Sequence, residues 1–282
     1  MLGEAARKTC FQEQRRIEMT GKDFWKILEW SDKYIQGFLA GNTEIKETLL
    51  LKMRHGVQVG LEARRIAMSL GLPIEMIELA DTAGLLHDIG RFEQFTQYKT
   101  FVDHRSIDHA KLGATILKEQ KVLADLDEET AGCILYAIEH HNRYDIPSDC
   151  PERDITALKI LRDADKIDIL RIMTEFFDGE EKREMSALTA GLKSTGPASR
   201  EICDAIETRR TARVRDVKNL NDLKLFYLSW VFDLHFPYTI SIFRERGYLD
   251  RIENSIAPSQ KDEPLFGGIQ RYFSEINIAS MQ

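Results

Sequence analysis

Apolar residues return along this chain at helical rather than strand spacing. Over residues 43–70, Leu50, Met53, Val57, Leu61, Ile66 and Leu70 recur at three- to five-residue intervals, which predicts one long helix. Gly71 and Pro73 then mark a stop and a new start. The next helix is expected through EMIELADTAGLLHDI (75–89), with Gly90 at its C-terminal cap. Further helices are expected at 106–120, 129–142, 154–176, 199–210, 222–235 and 264–279. No run of alternating β-branched residues lies between hairpin turns, and no internal repeat is visible. The expected fold class is all-α.

Two segments read as looser. Residues 91–105 hold few aliphatics, and 178–198 (DGEEKREMSALTAGLKSTGPA) is charged and then rich in Gly, Ser, Thr and Pro. The second is a solvated connection or a lid over a site. The apolar stretch 226–243 is interrupted by Asp233, His235 and Pro237, so it reads as a buried helix pair with a break and not as a membrane span. The aromatic residues from Phe226 to Tyr248 read as core.

With 282 residues, 43% hydrophobic and 30% charged, the chain can bury a full core, which argues against general disorder. A net charge of −7 argues against a nucleic-acid binder working through a broadly positive surface. Cys10, Cys133, Cys150 and Cys203 form no C-x-x-C pair, which points to a reducing compartment rather than a disulfide framework. The charged start of the chain has no apolar core of a signal peptide, so a soluble cytoplasmic protein is expected.

The chemistry lies in the seven histidines. His87-Asp88 and His140-His141 are adjacent pairs, each at the C-terminal end of an apolar helical run. His55 lies within an earlier amphipathic helix, His109 begins a later one, and Asp165 sits on a helix apolar along one side. Neutral imidazole and carboxylate are the usual ligands of first-row divalent ions. Several helices giving one or two ligands each can surround an ion in a bundle. A carboxylate beside a histidine is useful because its two oxygens can bridge two ions. Asp168, one turn after Asp165, is a candidate second carboxylate. Asp163 points away from Asp165, so it is expected to pair with Arg162 or Lys159 at the surface. A lone histidine is usually an ordinary side chain, and His104 and His235 are read that way.

The ordered pattern His55 … His87-Asp88 … Asp165 resembles the HD superfamily of metal-dependent phosphohydrolases. The motifs that carry the resemblance are ELADTAGLLHDIGRF (78–92), IEHHNRYDIP (138–147) and KILRDADKID (159–168), over roughly residues 50–172. The resemblance implies an all-helical bundle with His55, His87, Asp88 and Asp165 as ligands of a first metal. It implies His109, His140 and His141, with bridging Asp88, as the further ligands of dinuclear relatives, especially the HD-GYP branch. The GYP tripeptide itself is missing, since NRYDIPSDCPE follows His141. Leu51 stands where some relatives of that branch carry a glutamate, so no third ion is expected. Arg91 replaces a common lysine and adds a fork for phosphate oxygens. The expected organisation is 1–45 as helices packing on the core, 46–176 as the metal-binding domain and 177–282 as a helical extension.

The implied activity is hydrolysis of a phosphate ester, of a nucleotide or a related phosphorylated metabolite, by water activated on divalent ions. Two ions of Fe, Mn, Zn or Ni are expected, and the histidine-rich set disfavours Mg. Asp88, Arg91 and Asp168 are the catalytic candidates, with Asp168 orienting a ligand or accepting a proton. Lys111, Arg143 and Lys166 are substrate contacts or plain surface charges. The expected partner is a small phosphorylated molecule, with no membrane, no general nucleic-acid binding, and self-association left open. Two other readings are a di-iron oxygenase using His55, His87, Asp88, His109, His140 and Asp165, and a regulatory module without catalysis.

Overall fold

The computed structural model describes residues 22–41, 45–147, 149–179, 189, 191–192, 195–261 and 263–279. Residues 1–21, with Cys10, lie outside the described residues, as does most of the 178–198 connection and with it the choice between lid and surface. Among the described residues every regular element is a helix, as the spacing predicts. None of these helices is long and apolar enough to cross a membrane. Cys133, Cys150 and Cys203 are free thiols.

The chain divides into two compact units. The first takes residues up to Lys99 together with Ile107–Leu158, and the second takes Thr100–Ser106 and the residues from Lys159 onward. The first holds α1 (Lys22–Gly41), α2 (Lys46–Ser69), α3 (Ile74–Leu86), α4 (Gly90–Tyr98), α5 (His109–Glu119) and α6 (Glu128–His140). Helix α7 (Glu152–Phe177) begins in the first unit and continues in the second. The second adds α8 (Arg200–Glu207), α9 (Leu220–Ser229), α10 (Pro237–Glu245), α11 (Tyr248–Asn254) and α12 (Glu263–Ala279).

In the first unit α2 lies against α3, and α1 packs on α2, α3 and α4. The buried face of α2 is made of Leu49, Leu50, His55, Gly56, Val59, Gly60, Glu62, Ala63, Ile66 and Ala67. It is rotated from the face the aliphatics predict: Met53, Val57 and Leu61 are half-buried and Leu70 is exposed. Small residues set this face because the two helices touch backbone to backbone. A Cβ added at Gly84 would stand 2.6 Å from the Gly60 Cα, and one at Gly56 would stand 3.0 Å from the Leu85 carbonyl oxygen. Such residues carry little hydrophobic weight, so a reading built on aliphatics misses them.

Gly90 does not cap α3. It opens α4, and a Cβ there would collide with the His109 carbonyl and with Gly113 of α5. Its role is close approach, and 91–98, the first part of the segment expected to be loose, is helical. Helix α5 starts where Asp108 accepts hydrogen bonds from the Ala110 and Lys111 amides at 3.2 and 3.3 Å. Helix α6 is capped in the same way by Asp127, which accepts from the Thr130 amide at 2.9 Å.

The second unit is built around Ile167, Leu170, Leu228, Val231, Phe243, Tyr248 and Ile252, so the aromatic residues after Phe226 do form core. Tyr248 is fully buried and donates its hydroxyl to the Ile167 carbonyl at 3.2 Å. The expected break falls at Leu234–Phe236, between a 3-10 turn (Trp230–Asp233) and α10. Asp163 is not at the surface. It is completely buried and accepts from the amides of His235 and Phe236 at 2.9 and 3.2 Å and from the His235 ring at 2.8 Å. Arg162 and Lys166 both pair with Asp233, at 2.7 and 2.5 Å. The break leaves two backbone donors without helical partners, and a buried carboxylate is what satisfies them.

Two substitutions test these contacts by urea denaturation. Gly84→Val should lower stability by about 3 kcal/mol, because a Cβ there would already stand 2.6 Å from the Gly60 Cα. Asp163→Ala should cost about 2–4 kcal/mol, since it strands two half-buried amides and an imidazole around a buried site. A midpoint within error of wild type for either protein would refute the corresponding contact.

Candidate metal centre

Five of the residues singled out in the sequence meet in the first unit. His55 comes from the buried face of α2, one residue before Gly56. His87 and Asp88 follow the last turn of α3, one turn after Gly84. The α2–α3 approach at Gly60 and Gly84 therefore draws His55 toward His87, with ring centroids 5.1 Å apart. His109 opens α5, and His141 is the C-terminal cap of α6. The His141 ring lies edge-on to both His87 and His109, each at 5.0 Å between centroids.

Helix ends hold two of these rings in place. The last carbonyls of a helix have no intrahelical donor. At α3 the His87 Nδ1–H donates to the Gly84 carbonyl at 2.8 Å, and at α6 the His141 Nδ1–H donates to the Ile138 carbonyl at 2.7 Å. A carbonyl can only accept, so the proton sits on Nδ1 and Nε2 faces inward as the ligating atom.

The donor set fits divalent ions. Two groups, His55–His87–Asp88 and Asp88–His109–His141, each place one ligand atom per residue within 4.8 Å of one another, all on buried residues. Asp88 belongs to both. Its Oδ2 lies 3.7 Å from His55 Nε2 and 3.6 Å from His87 Nε2, while its Oδ1 lies 3.3 Å from His109 Nε2. The Nε2 atoms of His109 and His141 are 3.1 Å apart. Donors about 2.1–2.2 Å from one ion stand roughly 3.0–3.8 Å from each other at angles between 90° and 120°. The observed separations fall in that range.

Asp88 is also surrounded by cations. Lys52 Nζ lies 2.7 Å from Oδ2, and Arg91 Nε lies 3.3 Å from Oδ1. Burial by itself would raise the carboxyl pKa, but Lys52, His87, Arg91 and His109 together hold it well below the usual carboxylate range. Arg91 is anchored from behind: its guanidinium donates to Gln94 Oε1 at 2.9 Å, and buried Gln94 donates in turn to the Ile107 carbonyl at 2.8 Å.

Other candidates fall elsewhere. His140 belongs to none of the metal-binding groups among the described residues. Its ring stacks on Tyr136 at 4.3 Å, and its Nδ1–H donates to the Tyr136 carbonyl at 2.9 Å. Asp165 is half-buried in the part of α7 that belongs to the second unit. Asp168 is buried in the same stretch and accepts from Arg171 Nε at 2.8 Å, so this carboxylate is already engaged by a cation. Lys166 is no surface charge but a buried partner of Asp233; burial pulls its pKa down despite that pairing. Lys111 is exposed, and so is Arg143, whose guanidinium lies 3.8 Å from Asp108. His104 is exposed and His235 is bound to Asp163, so neither is a candidate ligand.

Sequence reasoning missed Lys52 and Gln94. Lys52 lies three residues before His55, on the same side of α2. That spacing was available as a signal, but a lysine on an amphipathic helix reads by default as solvated.

A family model described as the HD domain matches residues 53–170. No curated protein and no solved structure matches the chain. The match contains His55, His87-Asp88, His109, His141 and Asp165 in a single span, and its helices are those that build the metal-binding groups of the first unit. Residues 53–170 thus match the HD domain across the span that carries these ligands.

Proposed function

We propose that this protein is a metal-dependent phosphohydrolase that cleaves a phosphate ester, of a nucleotide or a related phosphorylated metabolite, at a dinuclear His/Asp centre. The observation that carries this reading is the position of Asp88, one carboxylate shared by two histidine groups. His55 and His87 would hold one ion with its Oδ2, and His109 and His141 the other with its Oδ1. The resemblance of KILRDADKID to the family adds Asp165 as a further ligand, and that of IEHHNRYDIP adds His140. When bound, the ions would supply a water acidic enough to ionise near neutral pH.

The chain's own residues do the remaining work. The Nδ1–H bonds of His87 and His141 fix the tautomer and aim of each ring. Arg91, held by Gln94, keeps a guanidinium beside Asp88, where its other N–H groups can take phosphoryl oxygens. Asp168, paired with Arg171, would orient a ligand or accept a proton.

The di-iron oxygenase reading keeps one supporting observation. The gathered histidines, with His141 in place of His140, still give four imidazoles beside Asp88, and the resemblance would add Asp165 as the second carboxylate. Iron as the dominant metal, together with oxygen uptake coupled to substrate loss, would favour it.

Metal analysis of protein purified without oxygen, paired with an assay on p-nitrophenyl phosphate esters and nucleoside monophosphates, separates these readings. Wild type should carry two ions per chain and release phosphate. Asp88→Asn should fall below one ion per chain and lose about three orders of magnitude in turnover, because both groups lose their shared ligand. Undiminished metal content in that variant would refute the bridging role. Arg91→Ala should retain its metal while kcat/KM falls about 100-fold, the usual cost of one donor to developing phosphoryl charge. Unchanged kinetics would remove Arg91 from the site.

A further inference from the structure

Lys52 and Arg91 both contact the carboxylate that the two histidine groups share, but they are held differently. Arg91 approaches Oδ1 at 3.3 Å and is tied back to buried Gln94, so its position is fixed from behind. Lys52 reaches Oδ2 at 2.7 Å, the distance of a full charge-assisted hydrogen bond, on a flexible four-carbon stem. Oδ2 is also the atom nearest His55 Nε2 and His87 Nε2. The two ion positions are therefore not equivalent. One faces an anchored cation at longer range, and the other faces an ammonium on the very oxygen an ion must use.

We propose that Lys52 is a built-in rival of the ion on the His55–His87 side, occupying Asp88 Oδ2 when that position holds no metal and swinging away when it fills. This rests on the reading of the His/Asp groups as metal ligands. The geometry forces the competition. An ion about 2.1 Å from Oδ2 cannot lie more than about 4.8 Å from an ammonium 2.7 Å from the same atom. Lys52 and Asp88 side chains are only 12% and 6% exposed, so water screens that repulsion weakly. The ammonium thus stabilises the buried carboxylate without metal and lowers the affinity of the adjacent position. Filling becomes sequential: the His109–His141 side first, the His55–His87 side second and at higher free metal.

The test is a titration of the metal-free full chain with Mn2+, with free ion read by electron paramagnetic resonance and activity not used. Wild type should show a tighter and a weaker class of sites. Lys52→Met should tighten the weaker class about tenfold or more and lower the melting temperature of the metal-free protein. Lys52→Arg, which keeps the charge, should not tighten it. Lys52→Gln, checked by circular dichroism, serves as a polar variant of similar length should the methionine variant fold poorly. Adding His109→Ala to Lys52→Met should remove one class and leave the tightened one, which assigns it to the His55–His87 side. Unchanged or weaker binding in both Lys52→Met and Lys52→Gln would overturn the proposal while leaving the metal centre intact. No bound Mn2+ in any of the proteins, wild type included, would overturn the metal centre and this proposal with it.

Discussion

The candidate centre depends on a contact that has no side chains in it. Helices usually pack with axes about 8–10 Å apart because side chains stand between them. At Gly60 and Gly84 the backbones of α2 and α3 meet, and a single methyl group at Gly84 would be too much. The pair acts as a pivot. The residues that diverge from it along each helix are fixed in direction, and His55 on one side and His87-Asp88 on the other arrive at the same place. Gly90 repeats the device where α4 meets α5, and there it brings in the segment that begins with His109. Close backbone approach, achieved with glycine, is how this sequence converts separate helices into one set of ligands.

Helix ends complete the set. His87 and His141 both sit just past a last turn and both return their Nδ1–H to a carbonyl three residues back. One hydrogen bond satisfies an acceptor the helix cannot satisfy itself and leaves Nε2 pointing into the site. His55 lies inside a helix rather than at its end, and its neighbours on the buried face are Gly56, Val59 and Gly60. The adjacent pairs at the ends of α3 and α6 are thus a consequence of geometry: the residue at the cap turns inward.

Much of this was legible in the sequence, and what was not has physical reasons. The histidines and Asp88 were legible because few other roles explain paired imidazole and carboxylate at the ends of apolar helices. The buried face of α2 was not, since glycine and alanine set it while Met53 and Val57 drew the eye. Helix α4 was not, because Gly90 resembles a stop signal unless the neighbour that demands it is known. Lys52 and Asp163 were hidden for a shared reason. Charged residues on helices are usually solvated, and only tertiary structure shows that one lies against a buried carboxylate and the other under a chain break. His140 and His141 could not be told apart by type; the helix end turns one toward the cluster and stacks the other on Tyr136.

The charge at the centre bears on which chemistry it suits. Without ions, Asp88 contributes one negative charge against the two positive charges of Lys52 and Arg91, so the described first-unit cluster is already positive with neutral imidazoles. Each divalent ion adds two more, and Asp165 would return only one. A site of that sign, inside a chain of net charge −7, is costly unless its usual guest is an anion. A phosphate monoester brings close to two negative charges and oxygens spaced for a guanidinium fork. An uncharged metabolite awaiting oxidation would bring no charge to offset that surplus. The surplus of cations around one shared carboxylate therefore weighs toward phosphoryl chemistry over oxygen chemistry, although both can use the same imidazoles.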